Sequence, residues 1–277
     1  MICAGSASYV GAAFLAGSAA THAGAGLVTL ALARTIYPIV ASALHETTFI
    51  RLPDESGTLI PEDAEVLTAA LADYDALLIG PGFGRHPKTI EFVHRLLNVT
   101  LAPHASAGVA SEAKQSPLVI DADALFALSH SSDWWKHLPP NCAILTPHPG
   151  EMAMLCRWSR EEVQADRIGV AKKFAAQWQQ IVVLKGAHTV VASPDGHVTL
   201  LPFATPALAT AGTGDVLAGT IAAMLAQKLE PFNAAVVGAY VHGLAGQMAE
   251  KEIGQAGVVA GDLIPRLPRA IRNVLEI

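Results

Sequence analysis

The stretch YDALLIGPGFGRHPKTIEFVHRLLN, Tyr74–Asn98, decides the fold class of this chain. It begins with an apolar run, continues with glycines at three alternate positions and ends in a helical pattern that Pro87 is suited to open. A short strand, a glycine-bearing loop and a helix in this order are typical of the βαβ units that build a parallel sheet. The stretch therefore predicts an α/β protein.

The same order recurs along the chain, with nearly continuous apolar runs that are typical of strands buried on both faces. The predicted strands are 26–32, 74–80, 116–123, 141–146 and 180–186, and the predicted helices are 87–98, about 160–178, 214–227 and 231–249. Two short runs around the turn signal Pro194-Asp195-Gly196 predict a β-hairpin. The polar segment 100–116 predicts a surface loop.

The composition agrees with this pattern. Hydrophobic residues make up 52% of the chain but aromatic residues only 6%, so the core must be built mainly from Ala, Val, Leu and Ile. Such a core suits small-residue helices packed on both faces of a buried sheet. Because no linker divides the chain, we expect residues 1–277 to form one three-layer α/β/α domain with a mainly parallel central sheet.

Charge and cysteine content exclude several classes of protein. The net charge is −6 and there is no basic run, so nucleic acid is not an expected partner. The three cysteines, Cys3, Cys142 and Cys156, are irregularly spaced and fit reduced thiols better than a disulfide framework or a metal site. Arg34 and Pro38 interrupt the most apolar stretch, and the N-terminus lacks the layout of a signal peptide. We therefore expect a cytoplasmic protein that does not cross a membrane.

Polar residues gather directly after the strands, where open α/β sheets bind their ligands. Gly80, Gly82 and Gly84 follow one strand and would let a ligand approach the backbone, although an ordinary turn is the alternative. Asp121 and Asp123 follow another strand. On an extended segment the two carboxylates would face the same side and could share a metal ion or a proton, unless Asp123 only caps the next helix.

Two further strand ends carry a histidine and a lysine. His148 lies between Pro147 and Pro149, which fix its backbone, and Glu151 opens the next helix, where its charge suits the helix dipole. Lys185 ends an apolar strand, which is unfavourable unless its ammonium group reaches an anion such as phosphate. A lysine that extends to solvent is the alternative.

The last of these segments is Gly212–Asp215, GTGD, which precedes an apolar helix. Free N–H groups at a helix N-terminus form an anion site, with Asp215 at its edge, whereas an ordinary N-cap is the alternative role of Asp215. With one lysine, one histidine and several carboxylates at the same edge of the sheet, the segment predicts a site that handles phosphate.

These motifs, in this order, resemble ribokinase-like proteins and, within that superfamily, the ADP-dependent NAD(P)H-hydrate dehydratases. The motifs are AGSASYVGAAFLAGSAATHAGAGLVTLA at the start, then IGPGFG, VIDADAL, TPHPGE, VLKGAHT and TAGTGDVLAG. The resemblance covers essentially the whole chain and implies a ribokinase-like fold.

The resemblance also implies an activity, in which the S epimer of NADH hydrate or NADPH hydrate is phosphorylated on its ring hydroxyl by ADP and then loses phosphate, with release of AMP. It assigns the catalytic base to Asp215, the anion hole to Gly212, Thr213 and Gly214, and ADP binding to Lys185, Gly186, Ala187, His188, Thr189 and Gly214. It assigns hydrate binding to Ala12, Gly82, His148 and Asp215, and a Mg²⁺ contact through water to Glu151. It further implies a homotetramer that works with a separate epimerase.

The chain departs from the family pattern at one place. Relatives usually carry a full strand before the AGS loop, whereas here only Met1-Ile2-Cys3 precedes it, so we expect a truncated first strand and unpaired backbone groups near the substrate.

Two other functions stay open at this point. An ATP-dependent kinase of a vitamin precursor, of the hydroxymethylpyrimidine, thiazole or pyridoxal type, would use the same Asp215 and anion hole. Such kinases more often carry Asn at the position of His148. A nucleotide sensor without turnover would need no base at Asp215.

Overall fold

The computed structural model describes residues 1–101 and 116–276, and a nine-stranded sheet runs through its middle. The strands of this sheet are β1 Ile2–Cys3, β2 Thr29–Ala33, β3 Thr48–Leu52, β6 Leu77–Ile79, β7 Leu118–Ile120, β8 Ala143–Leu145, β9 Ile181–Leu184, β10 Val190–Ala192 and β11 Val198–Leu200. A separate two-stranded hairpin consists of β4 Asp54–Glu55 and β5 Thr58–Leu59.

The helices are α1 Val10–His22, α2 Tyr37–Ala41, α3 Asp63–Leu71, α4 Pro87–Leu101, α5 Ala122–Ser129, α6 Pro149–Cys156, α7 Arg160–Ala165, α8 Arg167–Trp178, α9 Thr213–Ala226, α10 Pro231–Ile253, α11 Ala260–Leu263 and α12 Leu267–Leu275. Short 3₁₀ turns lie at Trp134–His137, Pro206–Ala209 and Ile264–Arg266. Within the described ranges, no helix combines the length and the apolar character needed to cross a membrane.

The spatial strand order is β11-β10-β9-β8-β7-β6-β1-β2-β3, and all neighbours are parallel except where β10 pairs with β9 and β11. The chain moves one way along the sheet from β1 to β3 and the other way from β6 to β9. Because parallel crossovers are right-handed, α1 lies on one face while α4 and α5 lie on the other. Helices α1, α9 and α10 pack together, as do α3, α4 and α5, so the predicted three-layer α/β/α architecture is confirmed.

All five predicted strands are present, although shorter than their sequence patterns, and the hairpin around Pro194-Asp195-Gly196 is β10–β11. The single helix expected over about 160–178 is wrong, because it breaks at Asp166. The Asp166 carboxylate accepts the N–H of Gly169 at 2.8 Å and so begins a second helix, α8. The loop expected over 100–116 falls, for residues 102–115, outside the described residues.

The backbone of the first strand is paired, contrary to the expectation of unpaired groups at this strand. Strand β1 lies in the middle of the sheet, hydrogen-bonded to β2 on one side and to β6 on the other. The amino group of Met1 also donates to the carbonyl oxygen of Ala76 at 2.8 Å. The two residues of β1 are therefore paired on both sides, so β1 itself forms no sheet edge.

Candidate functional site

The segment GTGD forms the N-terminus of α9. Gly212 is its N-cap, in the left-handed region with φ +89°, and the N-cap alternative for Asp215 is therefore wrong. The hydroxyl of Thr213 donates to the carbonyl oxygens of Leu208 and Thr210 at 2.9 and 2.8 Å, and its N–H donates to Thr210 as well. Within the described ranges, the N–H groups of Gly214 and Asp215 have no protein acceptor, which leaves them available to an anion.

The side chain of Asp215 is half-buried in the first turn of α9. Burial raises the pKa of Asp215 to about 7, and the nearby carboxylate of Asp121 adds to this effect against the opposing ammonium group of Lys185. A carboxyl group with a pKa near neutrality is suited to accept and return a proton under physiological conditions.

Lys185 joins three strand ends at the centre of the site. Its ammonium group donates to Asp121 Oδ1 at 2.8 Å and lies 3.5 Å from Glu151 Oε2. Burial lowers the pKa of Lys185, but the two carboxylates outweigh this effect and raise it. The side chain is 18% exposed, so the alternative of a lysine that extends to solvent is wrong. A Cβ atom on Gly214 would lie 3.6 Å from the ammonium nitrogen, which places this cation beside the anion site of α9.

Asp121 and Asp123 do not share a ligand, contrary to one of the sequence expectations. Asp121 is extended, but Ala122 has φ +49° and starts α5, so the two carboxylates diverge. Asp121 is 1% exposed and accepts hydrogen bonds from Lys185 and from the hydroxyl of Thr146. Asp123 accepts instead from the glycine loop that follows β6. It lies in the first turn of α5 and is not the cap, which is Asp121.

His148 is the N-cap of α6. Its Nδ1 accepts the N–H groups of Gly150 and Glu151 at 3.0 and 3.1 Å, and Glu151 Oε2 accepts the N–H of His148 at 2.7 Å. Burial lowers the pKa of His148 below its usual value. Because Nδ1 acts as an acceptor, the neutral ring carries its hydrogen on Nε2, which lies 3.5 Å from Glu151 Oε1 in a side chain that is 55% exposed.

The glycine loop lies against the start of α1. Gly82 has φ +66°, and a Cβ atom on it would lie 2.6 Å from the Cβ of Ala12. The structure thus brings together two of the residues that the resemblance assigns to one substrate, Gly82 and Ala12. Their role in binding stays a prediction.

A cavity of about 320 Å³ opens beside the N-terminus of α9. Six of the residues predicted for the anion hole or for ADP line it: Lys185, Gly186, Ala187, Thr189, Thr213 and Gly214. The other two, Gly212 and His188, are not among the lining residues, and His188 makes its own contacts with the backbone. Its Nδ1 donates to the carbonyl oxygen of Leu201 at 3.2 Å and its N–H to that of Phe203 at 2.7 Å. This arrangement fits a structural role for the His188 side chain in holding the loop.

Arg167 is a residue of this site that sequence reasoning missed. From the first position of α8, its guanidinium group donates to the carbonyl oxygens of Leu184, Lys185 and Ala187 and so braces the loop along the cavity. Gly186 has to be free of a side chain here, since a Cβ atom on it would lie 2.9 Å from this guanidinium group. The sequence contained no signal for this role.

The opposite wall of the cavity comes from α10, and it was missed too. His242 is buried, and its Nε2 donates to the carbonyl oxygen of Thr213 at 2.9 Å; burial lowers the pKa of His242 to about 4, which keeps the ring neutral. Gly243 and Gly246 leave room for two side chains. A Cβ atom on Gly243 would lie 2.2 Å from Phe203, and one on Gly246 would lie 2.5 Å from Leu208. Two glycines three residues apart in a helical pattern were the signal that could have found this wall.

Among the described residues, no group of three or more His, Cys, Asp or Glu side chains could hold a metal ion by itself. Two of the carboxylates near the anion site are already paired, Asp121 with Lys185 and Glu151 with the N–H of His148. The site can therefore hold anions by itself but needs oxygen ligands from another molecule to complete a cation site.

The chain is similar to known proteins over nearly its whole length. A family profile for NAD(P)H-hydrate dehydratase matches residues 1–269. A bifunctional NAD(P)H-hydrate repair enzyme of Moorella thermoacetica is 43% identical over 275 residues, which cover 98% of this chain and 49% of that protein. An ADP-dependent (S)-NAD(P)H-hydrate dehydratase of Xanthomonas campestris is 34% identical over 268 residues, 97% of this chain and 86% of the relative.

Among solved structures, the ADP/ATP-dependent NAD(P)H-hydrate dehydratase of Bacillus subtilis, co-crystallised with ATP and Mg²⁺, aligns with a TM-score of 0.78 and 31% identity. The alignment covers 98% of this chain and 90% of that one. The fold is accordingly ribokinase-like. The chain spans about half the length of the bifunctional relatives that it matches.

Proposed function

Because the chain belongs to the NAD(P)H-hydrate dehydratase family, we propose that it converts the S epimer of NADH hydrate and NADPH hydrate back to NADH and NADPH, using ADP and giving AMP and phosphate. The observation that carries this proposal is the position of Asp215. Its carboxyl group, with a pKa raised to about 7, adjoins the free N–H groups of α9 at the cavity that Lys185 lines. A base beside a phosphate-sized anion site is what phosphoryl transfer to a hydroxyl requires.

The first step of the proposed reaction forms a phosphate ester. The ring hydroxyl of the hydrate attacks the β-phosphorus of ADP, Asp215 takes the hydroxyl proton, and the bond to AMP breaks. The N–H groups of Gly214 and Asp215 hold the transferring phosphoryl group, whose negative charge Lys185 lies close enough to offset.

The second step removes the phosphate. The electron pair of the ring nitrogen expels phosphate from the neighbouring carbon, and loss of a ring proton then restores the dihydronicotinamide. Phosphate is a much better leaving group than hydroxide, which is why ADP is consumed. In this scheme, Gly82, Ala12 and the Nε2–H of His148 would contact the hydrate, as the resemblance implies.

ADP is proposed to occupy the cavity of about 320 Å³, along Lys185–Thr189 and Gly214. The carboxylate of Glu151 suits Mg²⁺, which usually binds one or two carboxylates, water and the phosphates of a substrate. Since the side chains alone form no closed metal site among the described residues, we propose that Mg²⁺ arrives with ADP and that Glu151 contacts it through water. When bound, the ion would neutralise phosphate charge.

Four further statements are part of the proposal: residues 1–277 form one domain, the protein is a homotetramer, a separate epimerase supplies the S epimer, and the reaction takes place in the cytoplasm. One sheet that contains strands from β1 to β11 supports the single domain. The three cysteines are free, which is compatible with a reducing compartment.

The test is recovery of the near-ultraviolet absorbance of reduced nicotinamide when the purified protein is given NADH hydrate, Mg²⁺ and either ADP or ATP. A rise with ADP, with AMP formed in equal amount, supports the dehydratase. ATP consumption with a vitamin alcohol, without any rise on the hydrate, would replace it by the kinase. Nucleotide binding without turnover of any of these substrates would support the nucleotide sensor instead.

The activity is expected to fall as the pH decreases below about 7, because Asp215 must be ionised to accept the hydroxyl proton and its pKa is raised to about 7. The measurement is the pH profile of kcat/KM for the hydrate at saturating ADP. An acid limb near pH 4, where an ordinary aspartate titrates, would contradict the assignment.

Arg167→Gln is expected to raise KM for ADP about tenfold and to leave kcat nearly unchanged. The shorter amide cannot reach the three carbonyl oxygens that the guanidinium group holds, so the loop along the cavity loses its brace. Steady-state kinetics with varied ADP measures this effect. Lys172→Gln, which removes an exposed charge from the same helix, is the control and should behave as the parent protein. Equal KM values in both variants would exclude the bracing role.

A further inference from the structure

Arg85 is an exposed arginine held in a fixed orientation. Its Nε donates to Asp123 Oδ1 at 3.3 Å, and its guanidinium carbon lies 4.4 Å from the ring centroid of Phe126. The side chain is nevertheless 57% exposed. Within the described ranges, its two terminal nitrogens have no protein acceptor. A guanidinium group that is anchored by its inner edge presents its outer edge to solvent as a preformed fork.

The place of Arg85 in the fold is the rim of the proposed hydrate site. It follows the glycine loop directly, and the N–H of Gly84 donates to the second oxygen of the same carboxylate, Asp123 Oδ2, at 2.9 Å. Two residues before Gly84, Gly82 packs against Ala12 at the start of α1. On its other side Asp123 is close enough to Asp215 to contribute to its raised pKa. Arg85 is thus anchored to a carboxylate that contacts the glycine loop on one side and acts on the catalytic carboxylate on the other.

The proposed substrates carry phosphate groups whose negative charge a cation at this rim would offset. NADH hydrate carries a diphosphate, and NADPH hydrate carries an additional 2′-phosphate on its adenosine ribose. Lys185 is not available to them, because it is paired with Asp121 and Glu151 and lines the cavity proposed for ADP. Lys88, at the start of α4, is paired with Glu55. Arg85, in contrast, has two terminal nitrogens without a protein acceptor in the described part of the chain.

We propose that Arg85 binds a phosphate group of the dinucleotide hydrate through its two terminal nitrogens and so sets the affinity for this substrate. The proposal rests on the proposed function. A planar fork of two N–H groups matches two oxygens of a phosphate, and the stacked ring of Phe126 holds the guanidinium plane in place. Arg85 touches no reacting atom, so it acts on binding and not on the chemical step.

The test compares Arg85→Ala and Arg85→Lys with the parent protein on NADH hydrate and on NADPH hydrate, at saturating ADP. The assays are run at alkaline pH, where Asp215 is ionised even if loss of Arg85 raises its pKa further. Arg85→Ala should raise KM for the hydrate about tenfold with kcat within about twofold, the effect of losing one charge-assisted contact. Arg85→Lys, which keeps the charge but not the fork, should lie between the two.

The two substrates distinguish the two phosphate groups. A rise in KM of equal size for both hydrates assigns Arg85 to the diphosphate, whereas a rise for NADPH hydrate alone assigns it to the 2′-phosphate. The matched control is Arg95→Ala, because Arg95 is also exposed and also donates through Nε to a carboxylate, that of Glu65, ten residues further along. Unchanged KM in Arg85→Ala, or the same change in Arg95→Ala, would overturn the proposal.

Calorimetric binding of NADPH, the reaction product, separates this proposal from the proposed function. If the parent protein has no dehydratase activity but binds NADPH, and Arg85→Ala weakens this binding about tenfold, the phosphate contact of Arg85 is supported and the proposed dehydratase function is rejected. If the parent protein turns over the hydrate and Arg85→Ala binds NADPH as tightly as the parent does, the function stands and the phosphate contact fails.

Discussion

Asp215→Asn is expected to lower kcat for the hydrate by about three orders of magnitude, because the amide cannot accept the proton of the ring hydroxyl. The side chains are nearly equal in volume, and the N–H groups of Gly214 and residue 215 are still free to hold phosphate. Binding of ADP should therefore be kept. The two measurements are single-turnover kinetics with ADP and calorimetric binding of ADP to the variant.

A stability measurement provides the control for Asp215→Asn. The pKa of Asp215 is about 7 in the folded protein against 3.8 for an unperturbed aspartate, so the folded state binds the proton more tightly. The parent protein therefore loses free energy of unfolding as the pH rises from about 4 through 7, whereas the asparagine variant has no such contribution. The free energy of unfolding of the variant minus that of the parent should therefore increase from acid to alkaline pH. Loss of activity together with loss of stability at alkaline pH would indicate a folding defect and contradict the role as base.

Part of the candidate site could be predicted from the sequence, because Asp121, His148 and Lys185 come shortly after buried strands. His148 and Lys185 come from different parts of the chain, and the parallel sheet brings their strand ends to one edge. The GTGD segment reaches the same place as the start of helix α9, beside Lys185. The order of short apolar runs, glycine loops and helical patterns was enough to predict that sheet. The assignment of these residues to ADP and hydrate stays a prediction until it is measured.

Pairings between distant residues could not be predicted in this way. Asp121 and Lys185 are 64 positions apart and meet only because β7, β8 and β9 are neighbours, so Lys185 was expected to face a phosphate and not a carboxylate. The role of Arg167 depends on where α8 starts, and the sequence pattern ran through the break at Asp166. These contacts belong to tertiary packing, which a local pattern does not contain.

The divergence of Asp121 and Asp123 has a different cause. Alternation of side chains holds only while the backbone stays extended, and Ala122 leaves the extended region with φ +49°. As a consequence, the two carboxylates bind different cations: Asp121 binds Lys185 inside the site, and Asp123 binds Arg85 at its rim. A single residue with positive φ thus decides which cation each carboxylate meets.

Gly80→Ala is expected to have the largest effect on stability, about 4 kcal/mol, because two costs combine. Gly80 has φ +117°, which a residue with a side chain rarely adopts, and its new Cβ would lie 1.9 Å from the carbonyl oxygen of Asp121. The atom in the way is backbone at the point where β7 ends and α5 begins, so it cannot rotate aside. Displacing it would also move the carboxylate that holds Lys185, and activity should fall together with stability.

The same loop offers a matched control in Gly84→Ala. Gly84 also has positive φ, +78°, but the nearest atom to its new Cβ would be the hydroxyl oxygen of Ser6 at 3.8 Å, an ordinary contact. Gly84→Ala should therefore cost only the conformational part, about 1–2 kcal/mol. Denaturant unfolding measures the free energy of unfolding of both variants. The difference between them gives the energetic cost of the steric clash with the carbonyl oxygen of Asp121. If the two variants lost equal stability, backbone conformation alone would account for the glycines, and the close packing of this loop on α5 would not be what holds Asp121 in place.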